Sequence, residues 1–536
     1  MNKYLLLTKT QLLEFVPKFM SRGKKATKAI GYGGFAVFGL IAAAFAGVYE
    51  YMFANMFALG GVLDTFPTFL ATVTMFVIIL TTIGTSRQMI FSFGKIDSAL
   101  SLPVSNATVI AVRLTIIYLY NLFCSALLLL PGCVVYMVVG GFDALFLAVN
   151  IVTMLFIPMV PLVFAAVIGA VLAFMSARFR YANIVNTVFL FAFLIAWIAF
   201  CGAIGFYSGS GEGGAQMSNI TVVNPFSGML TRAYSGNFLS LLLFAAISVG
   251  TFLLFCVVFS KFFKSLQAAF AARVGRVKYS YEKSSSSAFK ALFHKERAKL
   301  VSSSAYMANA LLGPLFVIIA AVALIIFKGR IVGLLETAVT ELETEYSALL
   351  RLVGLIIPVA LIYFGGMGTV SSCSISLEGR SFATLKSSPV SGKTVILAKL
   401  AFSSLVTVAP MAVASAVIAF SFGFAPLNII CIILTPTLYC YALSAYGLLL
   451  NLKKYRFDYS NETQIIKQSF SVFVTVMTTI GIAMLLAAAT ALVAIFAPES
   501  VDIASLAILA LMIVLASAMT AIMLTKGEKM YNRIEI

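Results

Sequence analysis

"SSPVSGKTVILAKL", residues 387–400, holds Gly392-Lys393-Thr394 and reads at first as the end of a nucleotide-binding P-loop. Such a loop needs a glycine five positions before the Gly-Lys pair, so that successive backbone N–H groups can cradle phosphates. Position 387 is Ser and position 389 is Pro, which has no N–H to offer. The stretch also has a twin, "SLPVSNATVIAVRL" at 101–114, in which Asn106-Ala107-Thr108 stands where Gly-Lys-Thr would be. Pro103, Val104, Ser105, Thr108, Val109, Ile110 and Leu114 match Pro389, Val390, Ser391, Thr394, Val395, Ile396 and Leu400, with Arg113 facing Lys399. The offset is 286 residues (389 against 103), and it also lays Leu6-Leu7-Thr8-Lys9 on Leu292-Phe293-His294-Lys295. The chain therefore reads as a tandem repeat, and the duplicated Pro-Val-Ser is a structural signal rather than a phosphate site.

Composition says what kind of repeat. The 536 residues are 61% hydrophobic and 10% charged, with a mean hydropathy of +1.05, which places the chain among polytopic membrane proteins. A helix needs about 20 apolar residues to cross about 30 Å of hydrocarbon. Twelve runs meet that length, at 30–56, 65–85, 112–138, 144–175, 184–207 and 237–260, then at 305–327, 350–371, 398–422, 425–450, 468–497 and 502–524. Each is expected to be helical, because a backbone amide without water must be satisfied within its own segment. The expected fold is all-α, with two tandem six-helix halves of the same topology. The boundaries are 1–262 for the first half, 263–304 for a basic cytoplasmic linker and second interfacial helix, and 305–536 for spans seven to twelve.

Orientation follows the basic residues. With both termini cytoplasmic, all but four of the 37 Lys and Arg residues fall inside, the exceptions being Arg232, Lys328, Arg330 and Arg351. A net charge of +18 then marks a basic rim facing anionic lipid, and no aromatic-interleaved basic motif points to nucleic acid. The N-terminus lacks the apolar core and cleavage site of a secretory signal. Each half is expected to open on an interfacial helix. In 287–301, Phe289, Leu292, Phe293 and Leu300 share a face, with Lys290, Arg297 and Lys299 off it. Leu5, Leu12, Val16 and Phe19 do the same less cleanly in the N-terminal arm. The alternative is a charged linker with snorkelling lysines. Pro-Val-Ser then makes a rigid cytoplasmic elbow before the third span of each half, with Ser105 or Ser391 as the helix N-cap.

The segment "EGRSFATLKSSPVSGKTVILAKL", from Glu378, resembles the one between the second and third spans of ABC-2-type export permeases, through Glu378, Gly379, Arg380, Leu385, Pro389, Val390, Ser391 and Lys399. In that family this element is the coupling helix that docks on a separate ATPase. The loop "YRFDYSNETQIIKQSFSV" resembles that of the large two-in-one (12-span) ABC exporter membrane subunits of Gram-positive bacteria, through Arg456, Phe457, Asp458, Asn461, Glu462, Lys467, Gln468 and Ser469. The first half departs from the pattern, with Lys95, Ile96 and Asp97 at the corresponding place before Pro103-Val104-Ser105, and a second loop that carries Arg178, Arg180 and Asn183 but no acidic residue. The resemblance implies a permease in the plasma membrane that binds two copies of a cytoplasmic ABC ATPase and needs no homo-oligomer. It implies ATP and Mg on that partner, no cofactor bound directly, and no enzymatic activity of the chain by itself.

Two other classes compete. An ion-coupled carrier with two six-span halves usually keeps ionisable residues inside the bundle, whereas Glu50 is placed near the outer end of span one and the loop "GTSRQMIFSFGKIDS" lacks the Asp-Arg-x-Gly-Arg-Arg pattern of the major facilitators. A membrane enzyme would need a catalytic constellation, but the single His294 sits in a basic helix and the seven cysteines have irregular spacing. Glu336, Glu341, Glu343 and Glu345 lie opposite a stripe of Leu335, Val339, Leu342 and Leu349, the pattern of an external amphipathic helix. The glycine-rich loop at 207–236 is expected to be either a mobile or re-entrant cap above the exit or a plain flexible connection.

Overall fold

The computed structural model describes residues 7–8, 25–90, 106–178, 182–208, 224–274, 287–342, 345–368, 370–459 and 462–535, and all their regular structure is helical. The chain divides into two units, Met1–Ser280 and Tyr281–Ile536. Among the described residues, ten helices are long and apolar enough to cross a membrane, four in the first unit and six in the second.

The first unit comprises α1 (Lys25–Leu59), α2 (Phe66–Ile90), α3 (Asn106–Gly140), α4 (Ala144–Phe156), α5 (Met159–Arg178), α6 (Ala182–Ser208), α7 (Ser227–Tyr234) and α8 (Phe238–Val274). The span expected at 144–175 runs over Ala144–Val171, with a two-residue break at Ile157-Pro158 between α4 and α5, where proline has no N–H to offer. Helices α1, α2 and α3 pack through Phe57, Phe66, Phe69, Leu70 and Leu129. Leu7 is buried with Val112 and Ile116 of α3. The described part of the 207–236 loop is docked: Asn224 Nδ2 donates to Thr72 Oγ1 at 3.0 Å, Thr231 and Thr68 hydroxyls lie 3.0 Å apart, and Leu230 and Ala233 are buried. Residues 224–236 thus pack as a helix and turn on α2, while the glycine-rich part of the expected cap, 209–223, lies outside the described residues.

The second unit comprises α9 (Ala288–Ser302), α10 (Ser304–Ile326), α11 (Lys328–Leu342), α12 (Tyr346–Gly365), α13 (Phe382–Ser387), α14 (Gly392–Ser421), α15 (Pro426–Lys453), α16 (Glu462–Gln468), α17 (Phe470–Phe496), α18 (Val501–Ile522) and α19 (Glu528–Asn532). The amphipathic helix expected from the acidic stripe is α11, with Glu336 exposed and Leu335 and Val339 half-buried. The span expected to reach residue 371 ends at Gly365. Close approach explains the break: a Cβ on Gly313 of α10 would lie 2.7 Å from Gly365 O, and one on Gly366 would lie 2.1 Å from Thr479 Cγ2 of α17. Beyond it the backbone runs through two 3-10 turns, Ser371–Cys373 and Ser376–Ser381. Residues 370–376, 378 and 379 are buried, as irregular backbone packed within a membrane bundle must be.

Candidate functional site

The irregular segment 370–381, the elbow 382–391 and the loop 454–459 form one structure in the second unit. Asn451, at the end of α15 and fully buried, bolts them together. Its Oδ1 accepts from the amides of Ile375 (2.9 Å) and Ser376 (3.0 Å), and its Nδ2 donates to Ser376 Oγ (2.8 Å). The amide of Arg456 donates to the same hydroxyl at 3.0 Å. Tyr459 Oη donates to Leu377 O at 3.3 Å. Gly379 adopts φ +53, ψ −134, and a Cβ there would meet Tyr459 Oη at 2.8 Å, so this position requires glycine on both counts. Phe382 stacks on Phe457 (centroids 4.7 Å apart) and meets Tyr531 of α19 edge-on at 5.5 Å.

Glu378 lies at the centre of a buried ion network, its side chain at 0% exposure. Its Oε1 pairs with Lys399 and Lys299, each at 2.6 Å, and its Oε2 with Lys295 at 2.8 Å. Lys399 Nζ also reaches Glu296 Oε1 at 2.6 Å and donates to Ser374 O at 3.2 Å. Lys299 lies 3.2 Å from Glu296. Burial opposes the ionised form of Glu378. The ammonium groups of Lys399, Lys299 and Lys295 outweigh it and hold the carboxyl well below the usual carboxylate range. Burial, and then the like charge of Lys399, lower the Lys299 ammonium pKa, which the two carboxylates only partly offset. Three ammonium groups and two carboxylates thus clamp α9 to the start of α14 and to the elbow. Only Lys295 is well solvated, at 38%.

The elbow has two faces. Leu385 and Phe382 are buried with Leu452, Met523 and Tyr531, and Val390 packs on the same core. Arg380, Thr384, Lys386, Ser387 and Pro389 are exposed. Ser391 caps α14, accepting from the amide of Thr394 at 3.3 Å, as the sequence predicts. Gly392 makes room for a ring, since a Cβ would stand 2.7 Å from Tyr531 Cδ1. Lys386 donates to the carbonyls of Asn532 (3.3 Å) and Ile534, and Glu528 Oε1 accepts from the amide of Lys393 at 3.3 Å. Gly392-Lys393-Thr394 is therefore a helix start docked on the C-terminal helix, preceded by α13 and not by a strand.

Of the residues singled out from the sequence, Glu378, Gly379, Arg380, Leu385, Pro389, Val390 and Ser391 come together with Arg456 and Phe457. Asp458 and Glu462 are exposed beside them, and Lys467 is exposed at the end of α16. Arg456 Nε donates to Asp458 O at 2.9 Å. Arg178 is the last residue of α5. Lys95, Asp97, Pro103, Val104, Ser105, Arg180 and Asn461 lie outside the described residues. The sequence reading missed Lys295, Glu296, Asn451 and Tyr459, and it placed Lys299 off the packing face of α9, whereas the network turns it inward. The available signal was Lys399, a cation two turns inside an apolar helix, where charge is costly. Glu50 is also deeper than expected: 6% exposed, with neither carboxyl oxygen hydrogen-bonded, and Oε2 3.4 Å from where a Cβ on Gly132 would sit. No protein-family model and no curated protein matches the chain.

Proposed function

We propose that the chain is the membrane subunit of an ABC-2-type exporter in the plasma membrane, with twelve spans in two repeated six-span halves and both termini cytoplasmic. It takes its energy from two copies of a separate cytoplasmic ATPase and holds no nucleotide itself. The observation that carries the reading is the elbow. It is a short helix with one polar, exposed face and one face fixed to α14, α15 and α19, so a push on Thr384 or Ser387 is delivered to spans instead of being absorbed by a loop. The ion network extends that rigid body to α9, and Glu378, although buried, acts by holding the elbow's geometry.

Two features support the repeat. Helices α1 and α6 run through the other two apolar stretches, 30–56 and 184–207, which supports counting them as spans beyond the ten. Phe293 packs edge-on against Phe402 at 5.5 Å, and at the same offset of 286 Leu7 is buried with Ile116. These equivalent pairs support a repeat in which the segment before the first span of each half meets the third span at matching positions.

Cysteine placed at Thr384 or Ser387, and at the outer position Ser347 as control, tests the reading in cells that co-express an ABC ATPase, which the proposal expects to be encoded beside this chain. A bifunctional maleimide is expected to join the two proteins from 384 and 387 and not from 347. Equal or absent cross-linking at all three positions would remove the elbow as a docking site.

A further inference from the structure

The break after α12 leaves a cavity of about 10 Å³, one water in size. Its wall holds the hydroxyls of Ser371, Ser372, Thr407, Ser444 and Thr475, together with Gly365 at the C-terminus of α12. The direction of the hydroxyl protons decides what it can hold. Thr475 donates to Ser471 O (2.7 Å), Thr407 to Ser403 O (3.1 Å) and Ser444 to Cys440 O (2.9 Å). Ser372 donates to Thr475 Oγ1 at 2.9 Å. These four O–H groups are spent inside the wall, so what they turn toward the cavity is oxygen lone pairs. The C-terminal end of α12 adds the negative pole of the helix dipole. Hydroxyl oxygens beside the C-terminal end of a helix are an arrangement suited to a bare cation.

We infer that this cavity in the second unit is a binding site for a monovalent metal cation, Na⁺ in the first instance. Divalent ions require carboxylate charge to repay their dehydration, and none lines the cavity. An anion would meet four hydroxyl oxygens whose protons are turned away, with Ser371 alone left to donate. Neutral oxygens suffice for one positive charge, and the room admits one dehydrated ion. Gly447 lets α15 pack closely on two of these residues, because a Cβ there would lie 2.4 Å from Ser372 Oγ and 2.7 Å from Ser371 Oγ.

The test uses the purified full-length chain in lipid nanodiscs, without any ATPase, so that it stands apart from the coupling proposal. Equilibrium binding of radioactive Na⁺ in choline chloride is expected to show a single saturable class of site, displaced by unlabelled Na⁺ and not by choline. Thr475→Val and Ser372→Ala should each raise the half-saturating Na⁺ concentration at least tenfold. As a second readout, the apparent unfolding constant of the wild-type chain should fall in proportion to 1 + [Na⁺]/Kd, with Ser372→Ala, which only removes an oxygen, nearly insensitive. Absence of saturable binding, with equal thermal midpoints in Na⁺ and choline, would make the occupant a water and overturn the inference. Binding unchanged in both variants would place the ion elsewhere and do the same.

Discussion

Replacing Glu378 by Gln removes the charge at the centre of the network while keeping its shape. In the wild type its carboxylate serves three ammonium groups at 2.6, 2.6 and 2.8 Å. In the variant Lys399 and Lys299 must share Glu296, while Lys295 turns to solvent. Breaking a buried pair from one side costs about 3–5 kcal/mol, and because Glu296 remains, the lower end of that range applies. The cost falls on the joint between α9 and the rest of the unit, where the remaining contacts are Leu292, Leu300 and the Phe293–Phe402 pair. About 3 kcal/mol corresponds to a rise of roughly 150-fold in the detached population of α9. Hydrogen–deuterium exchange of residues 289–302 in nanodiscs, with the amides of α14 as internal reference, reads that population directly. Exchanging Glu378 and Lys399 together for methionine should return most of the protection, since apolar replacement of a buried pair is often neutral. The cycle should therefore show a coupling of about 2 kcal/mol. Exchange of α9 within twofold of wild type in Glu378→Gln would show that the network does not hold the helix.

Other consequences are equally direct. Gly379→Ala should cost about 1–3 kcal/mol from its backbone conformation and more from the contact with Tyr459 Oη, and Tyr459→Phe in the same chain should recover only the share due to that contact; thermal midpoints of the two variants check it. Asn451→Leu strands the buried amides of Ile375 and Ser376, each worth about 1–3 kcal/mol, and should expose residues 370–381 to protease. The folded-state pKa of Glu378 is depressed, so its contribution to stability is complete above the ordinary glutamate value of about 4.3. That contribution is lost only as pH falls below this value towards the folded-state pKa. Protection of α9 should thus be flat from pH 5 to 8 and decline in acid, with Glu378→Gln removing the acid-side slope.

Ten of the twelve expected spans were legible because hydropathy over twenty residues is a strong signal, and the elbow because Pro389-Val390-Ser391 recurs at 103–105. The end of α12 was not, since Gly366-Met367-Gly368 continues an apolar run and the break is imposed by Gly313 and Thr479, distant in sequence. The network was hidden for a related reason. Lys295, Glu296 and Lys299 read as a solvated face until a third-span lysine is brought against them, and only Lys399 itself hinted at the need for carboxylates. The hydroxyl cavity leaves no mark in charge or hydropathy at all, because Ser and Thr are ordinary in membrane helices that bond them back to their own carbonyls.

The central claim is that ATP energy reaches this chain from another protein through the cytoplasmic elbow. The most direct measurement is affinity purification of the tagged chain from cells that also express the neighbouring ABC ATPase, followed by mass determination of the complex and its hydrolysis rate. The account predicts two ATPase copies per chain, hydrolysis by the complex and none by the chain alone. A chain that isolates without the ATPase, or that hydrolyses ATP by itself, would contradict it.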